Sequence, residues 1–107
     1  MKKLLNKILA WIKINPPKYK FVLVFWEDAN SDSTWNDLEL IEDMLPTICL
    51  SVGFLIKKTD NSFVLASDFT IEEKNDDFIF ADGGNTMVIP TKNVLKVVPI
   101  PLKIQPK

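Results

Sequence analysis

The sequence predicts a mainly β protein: a small barrel of five to six short strands, with an N-terminal amphipathic helix and a short helix in the first long loop. Three observations predict it. Residues 2–13 repeat their apolar positions at helical spacing, residues 21–26 form an unbroken apolar run, and residues 48–56 alternate with a period of two. At 107 residues and 47% hydrophobic content, one domain with a single core is expected. The expected division is residues 1–17 for the helix and its proline break, 18–100 for the barrel, and 101–107 for an extended tail.

The helix comes first. At 100° per residue, Leu4, Leu5, Ile8, Leu9, Trp11 and Ile12 fall on one half of the wheel, and Lys2, Lys3, Asn6, Lys7, Ala10 and Lys13 on the other. Asn15 and Pro16-Pro17 end it, because proline lacks the amide donor and disfavours helix before it. From Phe21 to Trp26 every residue is apolar and β-branched, aromatic or leucine, which predicts a strand buried on both faces. Residues 28–34 are turn formers, and Thr34 with Asp37 resembles an N-cap pair for a short helix that Pro46 stops.

Ile48, Leu50, Val52, Phe54 and Ile56 alternate with Cys49, Ser51, Gly53 and Leu55, so a long strand with one strongly apolar face follows. Thr59-Asp60-Asn61 makes a tight hairpin into a strand over 63–66. Residues 72–77 read as a charged loop, Phe78-Ile79-Phe80 as strand, and Asp82-Gly83-Gly84-Asn85 as the strongest turn in the chain. A strand over 86–89, a single helical turn at Pro90–Asn93 and a closing strand over 94–100 complete the barrel. The prolines at 99, 101 and 106 keep the tail from pairing fully in a sheet.

Charge is sorted along the chain. The first twenty residues hold six lysines and no acid, residues 21–86 carry a net charge of −11, and four lysines follow. Such asymmetry points to a partner, a membrane surface or internal docking of segments. A barrel segment this acidic repels phosphate, so nucleic acid is an improbable partner. An acidic surface that mimics nucleic acid to occupy a host protein fits the sign better. Arginine is absent, which removes bidentate forks to phosphate or carboxylate. Histidine is absent as well, and with it the commonest general base and the commonest metal ligand. The single Cys49 forms no intrachain disulfide and has no histidine to activate it, so its expected role is a small core residue. No enzyme is expected, and no cofactor. The apolar stretch Ile8–Ile12 falls far short of a membrane span, so cytoplasmic residence is expected.

A strand, a long loop, three hairpin-linked strands and then Ile89-Pro90-Thr91-Lys92-Asn93-Val94 before a last strand resembles the SH3-like barrel over about residues 21–100. More narrowly, Trp26 with Asp28-Ala29, Trp35, Ser51-Val52-Gly53-Phe54-Leu55 and Ile89-Pro90 resemble a group of small uncharacterised bacteriophage proteins. That resemblance implies a phage origin, the host cytoplasm and no known activity. The aromatic residues with which SH3 domains bind proline-rich peptides have no match here, so that activity does not carry over.

The candidate partner-binding residues are Leu5, Ile8, Leu9, Trp11 and Ile12 on the helix, with Trp35 in the loop. A lysine-lined amphipathic helix suits a membrane surface or an acidic partner. It also suits internal docking over Val22, Val24 and Trp26, which a barrel's filled interior would leave uncovered. Asp28, Asn30, Asp32 and Glu39 have calcium-loop spacing, but Ser33 replaces the glycine of the sharp turn, so they are weak metal candidates. The expected function is a non-enzymatic, phage-encoded interaction protein that binds a host or phage protein, with inhibition of that protein as one outcome of binding. Two alternatives stand beside it: a small-ligand or nucleotide-binding oligomeric barrel, and a membrane-surface adaptor acting through the helix. Homo-oligomerisation through the helix or a sheet edge fits the first two.

Overall fold

A computed structural model of the chain describes residues 1–29 and 33–103. The element order is α1 (Lys2–Ile14), β1 (Lys20–Asp28), α2 (Leu38–Glu42), β2 (Thr47–Lys58), β3 (Ser62–Lys74), β4 (Asp77–Pro90), a 3₁₀ turn (Thr91–Asn93) and β5 (Val94–Ile100). The strands form one antiparallel sheet in the order β4-β3-β2-β1-β5.

α1 ends where the sequence places its stop. Both the backbone N–H and the side-chain Nδ2 of Asn15 donate to the carbonyl of Trp11, at 2.8 and 3.0 Å, and Pro16 then blocks continuation. α2 is shorter than expected. Its N-cap is Asp37, with no side-chain capping bond, and the helix covers five residues.

The core lies on one face of the sheet. Val22 and Val24 of β1, Phe63 and Leu65 of β3 and Ile89 of β4 are buried together, with Trp26, Leu55, Val94 and Val97 packed against them. β4 is not a neighbour of β1, so the sheet must curl for Ile89 to reach Val22 and Val24. It does not close: among the described residues no ladder joins β4 to β5. The 3₁₀ turn bridges these two edge strands as the sequence predicts. It is tied to the β2–β3 hairpin by Thr91 N–H to the Asn61 carbonyl (3.0 Å) and Thr91 Oγ1 to the Thr59 carbonyl (3.1 Å).

The β3–β4 hairpin departs most from expectation. The loop expected over 72–77 contracts to a two-residue reversal within it, and Asp82–Asn85 is not a turn. The two strands run 13 and 14 residues and reverse at Asn75-Asp76, where both residues have positive φ (51° and 63°) and Lys74 pairs with Asp77. Two successive left-handed residues make the turn whose twist matches paired strands. Gly83 and Gly84 pair instead with Phe69 and Asp68, and neither has positive φ. A register shift between Phe69 and Ile71 accommodates one extra β4 residue there, a bulge rather than a reversal.

This hairpin also explains the open sheet. β2 and β3 pair only from Phe54↔Ala66 to Lys58↔Phe63 among the described residues, so the rest of the hairpin leaves the sheet as an arm. The molecule measures 64 × 29 × 26 Å with a radius of gyration of 19.5 Å. A compact domain of this length would have about 13 Å. Gly53 marks the point of departure: a Cβ there would lie 3.0 Å from the Ala66 carbonyl oxygen.

Candidate functional site

Residues directly opposite in an antiparallel pair share a face of the sheet. Phe21, Leu23 and Phe25 of β1 stand opposite Phe54, Val52 and Leu50 of β2, and on the other side Leu23 stands opposite Val98 of β5. This outer face is mostly apolar across three strands; its β1 residues are half-buried, and its β2 end is open. Ile48, Leu50 and Val52 retain 67%, 53% and 44% exposure.

The sequence reading expected the opposite parity. Val22, Val24 and Trp26 were the residues to need cover from α1, yet Val22 and Val24 are the centre of the core, closed by Phe63, Leu65 and Ile89. Trp26 lies beside them and donates its indole N–H to Ser51 Oγ at 3.0 Å. The open side is the one carrying Leu23 and Phe25.

α1 meets the sheet through a line of rings. Phe21 packs on Phe54 (5.1 Å between centroids), Phe54 on Phe69 (4.9 Å), Phe69 on Phe80 (5.4 Å) and Phe80 on Trp11 (5.0 Å), with Phe78 5.7 Å from the same indole. Tyr19 stacks on Phe69 at 6.0 Å. Each tilted pair is favourable by about 0.5–1.5 kcal/mol beyond its area. Trp11 therefore fixes the helix to the arm, on β4, and not over β1.

The helix candidates separate into two groups. Ile8, Trp11 and Ile12 are half-buried, whereas Leu5 and Leu9 retain 51% and 42% exposure beside the similarly exposed Leu4. Ile12 borders a cavity of about 490 Å³ between Pro16, Pro17, Phe54 and Leu102. Trp35 is fully exposed and is not brought near the helix stripe by any ring contact among the described residues. No residue of α1 is buried.

Of the weak metal candidates, Asn30 and Asp32 lie outside the described residues. Asp28 and Glu39 are exposed, and no group of three His, Cys, Asp or Glu side chains among the described residues is placed to hold a metal ion. Cys49 is half-buried in β2, with Sγ 3.9 Å from the Thr47 carbonyl oxygen. No described helix is long and apolar enough to cross a membrane.

Ile48, Leu50 and Val52 are the site residues that sequence reasoning missed. Their alternation predicts one strongly apolar face without saying what that face meets. The signal that points away from a core is that β1 is apolar on both faces while, among the described residues, α1 is the one helix longer than five residues that could cover the second. No family model, curated protein or solved structure matches this chain.

Proposed function

We propose that this protein is a non-enzymatic interaction module that binds protein through two apolar surfaces, the α1 stripe and the outer face of β1 and β2. One observation carries the reading: Ile48, Leu50 and Val52 project from a regular strand into solvent on a face that is apolar across β5, β1 and β2. A contiguous apolar patch of this kind on a folded surface is a recognition site or an aggregation liability. The strand order and the single 3₁₀ turn before β5 support reading the sheet as an opened variant of the SH3-like barrel. With the phage-protein resemblance, that makes a host or phage protein the first class of partner to test.

The test is capture by the full-length chain set against two variants, Leu50→Glu and Leu9→Glu. Both side chains are about half exposed, and circular dichroism of each variant checks that its fold is kept. The reading expects a protein retained by the unaltered chain and lost with either variant. Equal retention by all three overturns it. The groove bounded by Ile12, Pro16, Pro17, Phe54 and Leu102 favours a second reading, an apolar small ligand. A melting temperature unmoved by every member of a metabolite panel removes that reading.

A further inference from the structure

We infer that the partner of these surfaces is a second copy of this chain. α1 of one protomer lies along the outer face of β1 and β2 of the other, and the exchange is reciprocal about a two-fold axis. This rests on the interaction reading above and names its partner. Three observations carry it.

The first is that each chain holds its own two surfaces apart. Trp11 fixes α1 to Phe78 and Phe80 on the arm, and the arm leaves β2 beyond the Phe54↔Ala66 pair. The stripe of Leu4, Leu5 and Leu9 and the face of Ile48, Leu50 and Val52 therefore both remain open in the single chain. A chain extended over 64 Å, with an apolar helix carried on an arm, has the form of an exchanging protomer.

Charge is the second. Lys2, Lys3 and Lys7 border the stripe, and no acid occurs before Glu27. Glu27 stands opposite Ile48 on the outer face, and Glu39, Glu42 and Asp43 lead into the same end of β2. Lys96 shares that face but stands on its β5 side, opposite Phe25. Basic helix and acidic rim are thus complementary between copies, which favours encounter and sets orientation.

The third is size. A thirteen-residue helix spans about 20 Å and the Ile48–Val52 run about 14 Å, so one helix covers the run. Complete burial of the exposed parts of the six aliphatic residues of one helix–sheet contact would remove on the order of 600 Å² from water. Two reciprocal contacts give on the order of 1,200 Å², the lower bound for a stable interface.

Sedimentation velocity of the full-length chain, from low to high micromolar, tests this. The expected result is a concentration-dependent shift from 12.2 kDa to twice that mass. Leu50→Glu and Leu9→Glu should each weaken the dimer at least about tenfold, with circular dichroism and melting temperature of the monomer unchanged. Reversing Lys3 and Lys7 together to Glu should weaken it by up to about tenfold at low salt and less at high salt. A monomer at every concentration overturns the inference, including one that co-sediments with anionic vesicles. So does a dimer insensitive to both leucine variants. A monomer that still loses captured protein on Leu50→Glu overturns self-association alone and leaves the interaction reading standing.

Discussion

The indole of Trp11 and the ring of Phe80 are centred 5.0 Å apart and inclined at 49°. This pair decides where the N-terminal helix goes. The helix has no buried residue; its ring contacts are those of Trp11 near its C-terminal end, with Ile8 and Ile12 half-buried beside them. Its lysines and its outer leucines are therefore left for another surface.

Replacing Trp11 by alanine should free the helix without unfolding the sheet. The two ring pairs with Phe78 and Phe80 contribute about 1–3 kcal/mol together. Limited trypsin digestion of Trp11→Ala should cleave after Lys13 and Lys18 faster than in the unaltered chain, while far-UV circular dichroism keeps its strand signal. An unchanged cleavage rate would show that other contacts hold α1.

Gly53 sits where β3 passes closest to β2. A Cβ at this position would meet the Ala66 carbonyl oxygen at 3.0 Å and the Leu65 Cβ at 3.5 Å, and the first of these is backbone that cannot rotate away. Gly53→Val should cost about 1–3 kcal/mol through overpacking. The check is a lowered denaturation midpoint with an unchanged m-value, and a variant as stable as the parent would contradict the β2–β3 approach described.

The hairpin turn gives a prediction of opposite sign. Asp76 holds φ of 63°, a left-handed conformation that glycine adopts freely, and with Asn75 before it Asp76→Gly creates the preferred Asn-Gly turn. The gain should be about 0.5–1 kcal/mol, or a melting temperature raised by roughly 2–6 °C. A lower melting temperature would place the reversal elsewhere in the hairpin.

What the sequence made legible follows from how local each signal is. The helix over 2–14, its stop at Asn15-Pro16, the Thr59 hairpin and the 3₁₀ turn before β5 all rest on neighbours within four residues, and each stands where periodicity and turn chemistry put it. The errors lie where a local signal was overridden by a pairing. Asp82-Gly83-Gly84-Asn85 has the composition of a turn, yet it lies within β4 beside a bulge, with Asn85 alone of the four at positive φ (50°), and the reversal falls on Asn75-Asp76. Barrel closure is a long-range property, and nothing in residues 67–84 announces that they leave β2.

The candidate site was half legible for a related reason. Leu5 and Leu9 follow from the helical wheel alone. Ile48, Leu50 and Val52 do not, because a strand apolar on one face looks the same whether that face meets a core or a partner. Only the register of β1 against β2, with Leu23 opposite Val52 and Phe25 opposite Leu50, assigns them to the side away from Val22 and Val24.

The central claim is that α1 and the outer sheet face meet between chains and not within one. The direct measurement is an isotope-filtered nuclear Overhauser experiment on an equal mixture of labelled and unlabelled full-length chain. The predicted result is intermolecular methyl contacts linking Leu5 and Leu9 to Leu50 and Val52. Contacts among these residues that arise only within one labelled chain, or none at all at millimolar concentration, would contradict it.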